Sequence, residues 1–325
     1  MRAIVCEAWD SPANLKIKEV PEPEPGPGEV RLTIAATGLG YVDALTVAGL
    51  YQIKPPLPFI PGNEVSGTID MLGSGVDGLA PGQRVLAMPS RGGLADKVCL
   101  PAGACVPIPD SLSFEAAAGF LVNYCTAWHG LIDCGRLQPG ETVLVLGASG
   151  GVGVAAMDVA MAQGASVIAA ASTPEKRDAC LALGATTAID YSRDDWRGAL
   201  QEALGDKPLD LVYDPVGGDF SEPAFRSLSP GGRFLVVGFA AGSIARIPLN
   251  LPLLKRTSII GVNWGAHAGA NPPESRRVVS ALMDWIGKGK LHPAAGETFP
   301  LEHAGKAMMK MLNREAIGKI VITTN

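Results

Sequence analysis

Apolar and polar positions follow two different rhythms along this chain, and the first of them predicts strands. Residues 30–34 alternate between apolar and polar side chains, which is typical of a half-buried strand. Residues 64–72 and 83–88 are further predicted strands, and residues 21–28 form a proline-rich extended connector. The first part of the chain is therefore predicted to be β-rich.

The second rhythm, from residue 113 to 261, alternates strands with helices. Strands are predicted at 141–146, 166–171, 188–191, 209–213 and 233–237, and helices at 152–163 and 174–183. This alternation indicates a parallel sheet covered by helices on both faces. A helix at 273–287 and a strand at 317–322 no longer keep the rhythm, so we interpret the tail after residue 261 as a return to the first domain.

The most specific signal lies between the first strand and helix of this α/β region. Residues 147–153 read Gly-Ala-Ser-Gly-Gly-Val-Gly, with Ala148, Gly150 and Gly153 in the three glycine positions of a dinucleotide-binding turn. Glycines permit the tight turn, and the following helix N-terminus offers backbone N–H groups to a pyrophosphate. A nicotinamide dinucleotide is therefore predicted here.

The end of the next strand indicates which dinucleotide is bound. An NAD site places an acidic residue there to hold the ribose 2′-hydroxyl. This chain has Ser172 at that point and Lys176 within the following helical turn. A hydroxyl and a cation suit a 2′-phosphate, so NADPH is predicted in preference to NADH. The alternative, that Lys176 and Arg177 are solvated helix residues, stays open.

Composition excludes several classes of protein. Of 325 residues, 47% are hydrophobic and 18% charged, and the net charge is −5, as expected for a globular protein without a nucleic-acid or membrane partner. The six cysteines form no C-x-x-C pair and are expected to be reduced. The first residues contain no long apolar run typical of a signal peptide, so a cytoplasmic location is expected.

Several short motifs, taken in order, resemble the quinone oxidoreductase (zeta-crystallin-like) family, a zinc-independent branch of the medium-chain dehydrogenase/reductase superfamily. They are residues 49–51 (Gly-Leu-Tyr), 61–67 (Pro-Gly-Asn-Glu-Val-Ser-Gly), 123–128 (Asn-Tyr-Cys-Thr-Ala-Trp), 147–153, 214–218 (Asp-Pro-Val-Gly-Gly) and 318–319 (Gly-Lys). The resemblance implies an α/β fold in which a GroES-like β-barrel catalytic domain, residues 1–118 and 262–325, is split around a Rossmann domain, residues 119–261. It also implies a homodimer and an active site in the cleft between the domains.

The same resemblance implies which residues line the cofactor. They are Thr126, Gly150, Gly151, Val152, Ser172, Lys176, Tyr191, Val216, Phe239, Asn263, Trp264 and Lys319. Tyr191 would lie near the adenosine 2′-phosphate, and Phe239 with Asn263 and Trp264 near the nicotinamide. One position departs from the pattern: Gly40 stands where relatives carry an asparagine, so any catalytic role of that asparagine is vacant here.

No metal site is predicted. Zinc-dependent relatives carry a cysteine in the early loop and a histidine before the glutamate of the Pro-Gly-x-Glu motif, where this chain has Gly40 and Asn63. Four closely spaced cysteines for a structural zinc are also missing from the sequence. The four histidines, at positions 129, 267, 292 and 303, have no ligand spacing, and surface or capping roles are expected for them.

Without a Lewis acid, the chemistry is expected to favour a conjugated carbonyl substrate, which delocalises the charge left by a hydride. A hydrogen-bond donor then suffices to stabilise the charged oxygen, and Tyr41 and Tyr51 are the candidates for this catalytic role. For Tyr51, packing against the substrate as part of the wall of the cleft is an equally good interpretation. Tyr41, Tyr51, Asn63 and Trp264 are the predicted substrate-binding residues, while Asp43 is expected to satisfy loop backbone donors.

Three functions fit this sequence. The first is NADPH-dependent quinone reduction, and the second is the same chemistry on an enone or a 2-enoyl thioester. The third is an NADPH-binding sensor or structural protein with little turnover.

Overall fold

The computed structural model describes residues 1–324, which form a two-stranded sheet and two larger sheets that correspond to the two rhythms of the sequence. The strands are β1 (Arg2–Val5), β2 (Lys16–Glu19), β3 (Glu29–Gly38), β4 (Val65–Leu72), β5 (Arg84–Ala87), β6 (Lys97–Pro101), β7 (Val106–Pro107), β8 (Thr142–Leu146), β9 (Ser166–Ala170), β10 (Thr187–Ile189), β11 (Leu211–Asp214), β12 (Arg233–Val236), β13 (Ser258–Gly261), β14 (Glu297–Pro300) and β15 (Ile320–Thr323).

Eleven α-helices accompany them in the described residues. They are α1 (Tyr41–Val47), α2 (Phe114–Ala118), α3 (Leu121–Trp128), α4 (Gly151–Ala162), α5 (Pro174–Ala182), α6 (Trp196–Leu204), α7 (Ser221–Ser227), α8 (Asn250–Lys255), α9 (Trp264–Ala270), α10 (Pro272–Gly287) and α11 (Ala304–Leu312). A π-helical segment, His129–Cys134, follows α3. Of the helices within residues 1–324, none combines the length and apolar character that a membrane span requires.

Unit 2, residues 123–292, contains a six-stranded parallel sheet. Its strand order is β10-β9-β8-β11-β12-β13, so the order reverses beside β8, the first strand of the sheet in the chain. Every residue of β8 is buried, which explains its continuous apolar run. In such sheets ligands bind outside the carboxyl ends of the strands at the point of reversal, and the glycine-rich turn after β8 lies there.

Unit 1, residues 1–122 together with residues from 293 onward, contains a mainly antiparallel sheet of seven strands. The path β14-β15-β3-β4-β5-β7 is extended by β6, which also pairs with β3. Its core includes Val30, Leu32, Val65 and Val85, which project from β3, β4 and β5. The late strand β15 pairs with the early strand β3, so the tail does return to the first unit.

The predicted domain boundaries need correction, because α10 belongs to unit 2. Unit 2 extends to His292, whereas the boundary was predicted at residue 261, and it begins at Asn123 rather than at residue 119. On α10, Val278 and Leu282 are fully buried. The ring of Trp285 meets that of Trp128 edge-on at a centroid distance of 4.8 Å, so the apolar face of α10 covers unit 2.

Candidate dinucleotide site and reductase residues

The turn between β8 and α4 has the geometry of a phosphate-binding loop. Gly147 has φ +58°, which favours glycine, and Gly150 precedes the first residue of α4. A Cβ placed on Gly153 would lie 2.4 Å from the carbonyl oxygen of Gly147, so only glycine lets helix and turn approach this closely. The first N–H groups of α4 have no partner within a helix and are available to a pyrophosphate.

The end of β9 carries a hydroxyl and a lysine and has no acidic residue in the ribose position. Thr173 caps α5 by accepting a hydrogen bond from the backbone N of Lys176 at 3.3 Å. This places Ser172 directly before the cap and the half-buried Lys176 in the first turn of the helix. The neighbouring Arg177 is held by Asp190 at 3.0 Å and by the carbonyl of Ala171 at 3.3 Å. Its positive charge is thus engaged within the protein.

The loop after β11 is organised by the buried carboxylate of Asp214. This carboxylate accepts hydrogen bonds from the backbone N of Val216 and of Gly217, both at 2.8 Å, and from the hydroxyl of Ser221 at 2.6 Å. Burial raises the pKa of Asp214. Gly217 and the following Gly218 both have positive φ, so the three hydrogen bonds fix a loop that only glycines can form.

Most of the predicted cofactor residues collect along one edge of the unit 2 sheet. With two exceptions, these residues come after parallel strands whose carboxyl ends share that edge. Gly150, Gly151 and Val152 follow β8; Ser172 and Lys176 follow β9; Tyr191 follows β10; Val216 follows β11; Phe239 follows β12; and Asn263 and Trp264 follow β13. The exceptions are Thr126, which lies in α3, and Lys319, which lies in unit 1. The Tyr191 ring packs on Phe220 at 4.6 Å between centroids, while Phe239 is exposed.

Asn263 and Trp264 make contacts within unit 2 that the sequence did not indicate. Asn263 caps α9 by accepting a hydrogen bond from the N of Ala266 at 3.2 Å. Trp264 is buried, 5.7 Å from the ring of His129, and His129 stacks on His267 at 4.4 Å. The expected surface or capping role of His129 is therefore wrong, because its ring is buried between aromatic neighbours.

In unit 1 the two candidate donors flank α1. Tyr41 is the first residue of α1 and is 37% exposed, and the half-buried Tyr51 follows the turn at Gly49. Neither phenol hydroxyl has a hydrogen-bond partner within residues 1–324. Asn63, the third predicted substrate residue, is half-buried and lies two positions before β4.

Asp43 fixes the start of α1, as predicted. Its Oδ2 accepts a hydrogen bond from the backbone N of Gly40 at 2.8 Å. Burial raises the pKa of Asp43 to about 6; the hydrogen bonds from Gly40 and Gly62 and the nearby Lys319 oppose this shift, whereas Glu64 adds to it. Ionising this carboxyl group in the folded protein therefore costs more free energy than ionising it in water.

A buried ion pair lies close to Asp43. The Nζ of Lys319 donates to Glu64 Oε2 at 2.7 Å, and the two side chains are 7% and 1% exposed. The other carboxylate oxygen accepts from the backbone N of Val122 at 3.0 Å. A Cβ on Gly119 would lie 2.6 Å from Lys319 Cγ, so the lysine stem is tightly enclosed. Lys319 was predicted to line the cofactor; the structure places its ammonium on Glu64, a pairing across 255 residues that no local pattern reveals.

No set of three or more His, Cys, Asp or Glu side chains in the described part of the chain is arranged to hold a metal ion. At the two positions of the catalytic-zinc pattern, Gly40 offers no side chain and Asn63 an amide.

Comparison with known proteins identifies the family. Two family models match: residues 26–110 match an alcohol dehydrogenase GroES-like domain, and residues 151–286 match a zinc-binding dehydrogenase domain. Quinone oxidoreductase-like protein 2 of Bos taurus is 37% identical, covering 99% of this chain and 92% of its own length.

Solved structures agree with this result. The quinone oxidoreductase of Thermus thermophilus, also solved in complex with NADPH, is 34% identical, with a TM-score of 0.83 and coverage of 99% of this chain and 100% of its own. An NAD-dependent alcohol dehydrogenase is 31% identical, with a TM-score of 0.91 and coverage of 100% of both chains. The chain therefore belongs to the quinone oxidoreductase family of the medium-chain dehydrogenase/reductase superfamily. The predicted family and the predicted fold class, a Rossmann sheet domain with a GroES-like domain, are confirmed.

Proposed function

We propose that this protein is an NADPH-dependent reductase of small conjugated carbonyl compounds, with quinones as its preferred substrates, and that it works without zinc. The observation that carries the proposal is the end of β9, where Ser172 and Lys176 stand beside the glycine-rich turn and no acidic residue occupies the ribose position. The Thermus thermophilus quinone oxidoreductase, solved with NADPH, supports the same cofactor.

The residues at the carboxyl edge of the unit 2 sheet fit such a dinucleotide. The turn at Gly150 and Gly151 would hold the pyrophosphate, because it presents the first backbone N–H groups of α4. Ser172 and Lys176 would hold the 2′-phosphate, and Tyr191 and Val216 would lie along the adenosine. NADPH, when bound, supplies a hydride.

The substrate class follows from the side chains that would meet the new negative charge. Gly40 and Asn63 replace the zinc-ligand residue types, so the oxygen of the substrate must be stabilised by hydrogen bonds. The hydroxyl of Tyr51 is a neutral donor that makes no hydrogen bond within residues 1–324, and we assign it this role, with Tyr41 as the second donor. Quinones demand least from such a donor because they already accept hydride readily.

We also propose that the protein is a homodimer. Strand β13 is an edge strand of the unit 2 sheet, and Ile259 on it is exposed. On the preceding helix α8, Leu253 and Leu254 are 78% and 74% exposed. An open edge beside exposed leucines is typical of an interface. Sedimentation of the purified protein distinguishes a dimer from a monomer.

Binding of the two dinucleotides tests the cofactor assignment. NADPH should bind more tightly than NADH, and Lys176→Ala should narrow this difference in binding free energy by about 1.5–3 kcal/mol, the value of a hydrogen bond to a charged group. Lys207→Ala, which changes an exposed lysine of the same unit, is the matched control. Equal affinity for both dinucleotides in the unmodified protein contradicts the proposal.

Turnover with NADPH separates the functions. A quinone, an enone and a crotonyl thioester are compared at matched concentrations, before and after treatment with a chelator. Quinone reduction that survives chelation supports the proposal, and faster thioester reduction would identify an enoyl reductase. Binding of NADPH without turnover of any acceptor would indicate a sensor or structural protein.

A further inference from the structure

A cavity of about 240 Å³ lies along α4 in unit 2. Its apolar wall is formed by Val154, Met157 and Met161 of α4 together with Leu183. At roughly 30 Å³ for each water, this volume corresponds to about eight waters and suits a ligand of about nine non-hydrogen atoms. No residue of this cavity belongs to the dinucleotide or donor residues described above.

One wall of the cavity carries a carboxylate that is only partly satisfied. Both hydrogen bonds of Asp158 fall on Oδ2, which accepts from the Tyr124 hydroxyl at 2.8 Å and from the backbone N of His292 at 2.9 Å. Its Oδ1 has no hydrogen-bond partner in the described chain. Burial raises the pKa of Asp158, and the hydrogen bonds from His292 and Tyr124 and the nearby His292 ring, which also lines the cavity, oppose this shift.

A cation lines the same cavity without pairing with this carboxylate. The ammonium of Lys290 lies 5.2 Å from the centre of the Trp285 ring. Within residues 1–324, no carboxylate oxygen lies within 4.0 Å of the Lys290 Nζ, so Lys290 and Asp158 do not form an ion pair. The Lys290 side chain is exposed, whereas Asp158 is half-buried, and a half-buried charge gains most from a partner of opposite sign.

A negative and a positive group that share one small cavity, but do not reach each other, complement a ligand that carries both charges. The methionine and leucine side chains complement an apolar group on the same ligand. We propose that this cavity binds a free α-amino acid with an apolar side chain. Asp158 Oδ1 accepts from its ammonium, Lys290 donates to its carboxylate, and Met157, Met161 and Leu183 enclose its side chain.

Titration calorimetry of the full chain with L-leucine tests this inference. Leucine should bind at one site for each chain. Isoamylamine, which lacks the carboxylate, and isocaproate, which lacks the ammonium, should each bind at least about tenfold more weakly. Failure of leucine to bind, or equal binding of either analogue, overturns the proposal. This comparison uses the unmodified protein and does not depend on NADPH binding or turnover.

Two substitutions locate the site. Asp158→Asn keeps an oxygen for Tyr124 and His292 but removes the charge, and Lys290→Met removes the cation; each should weaken leucine binding at least about tenfold. Asp284→Asn makes the same chemical change on the exposed face of α10, where Asp284 pairs with Lys288 at 2.7 Å, and should leave binding unchanged. Thermal melts verify that the variants fold. Unchanged leucine affinity in Asp158→Asn would place the ligand elsewhere and refute the assignment.

Discussion

Replacing Lys319 by methionine tests the buried ion pair of unit 1. The change keeps an apolar stem as far as Cε but removes the ammonium, and it leaves Glu64, 1% exposed, with the Val122 N–H as its only remaining hydrogen-bond donor in the described structure. An uncompensated buried charge of this kind typically costs about 3–5 kcal/mol. We therefore expect Lys319→Met to destabilise unit 1 by this amount. Lys319→Met/Glu64→Gln should recover most of the loss, because no orphan charge remains.

Hydrogen exchange of the β15 amides measures the effect, since β15 pairs with β3 inside unit 1. Lys310→Met is the matched control: Lys310 pairs with Glu297 in the same unit, but both side chains are about one-third exposed, so a cost below about 1 kcal/mol is expected. A loss in Lys319→Met no larger than in the control would refute the reasoning. If stability holds while NADPH affinity falls, Lys319 holds the cofactor instead.

Three further predictions concern single residues. Because burial raises the pKa of Asp43 from 3.8 to about 6, its protonated form is favoured in the folded state; this stability is fully present below pH 3.8 and is lost as the pH rises through about 6. Asp43→Asn should therefore remove about 3 kcal/mol of pH dependence from the free energy of unfolding, and an unchanged pH profile would contradict the shift. Gly153→Ala should weaken NADPH binding and cost about 1–3 kcal/mol of stability, because its Cβ would lie 2.4 Å from a carbonyl oxygen; a variant with normal affinity would show that the turn yields easily. Tyr51→Phe should slow enone or thioester reduction by about 2.7–4 kcal/mol of activation free energy and quinone reduction far less, as steady-state rates would report. Equal decreases in the rates for both substrate classes would indicate that Tyr51 packs against the substrate and does not donate a hydrogen bond.

The elements of the dinucleotide unit could be predicted closely because local pattern determines them. Strand β8 and helix α4 begin and end within one residue of their predicted bounds, since an apolar run, a glycine turn and a closing glycine mark each end. The same holds for β9 and α5. Likewise, the role of Asp43 at the start of α1 follows from its spacing to Gly40.

The features that the sequence did not predict depend on tertiary contacts between residues far apart in the chain. The pattern of α10 identifies a helix but does not say which core its apolar face covers, and the contact of Trp285 with Trp128 decides that. The pair of Glu64 with Lys319 and the burial of His129 are tertiary facts of the same kind. The π-helical segment His129–Cys134 follows neither a strand nor an α-helical period, so no periodicity search detects it.

The insertion of unit 2 as one continuous segment within unit 1 has a consequence for synthesis of the protein. Strands β14 and β15, which extend the sheet at β3, are translated only after residues 123–292. The dinucleotide-binding unit can therefore complete its core on the ribosome while the sheet begun by β3 still lacks its last partners. Until then β3 is paired with β6 over residues 29–33, but its end at residues 36–38 lacks β15 and presents unpaired backbone groups to other strands.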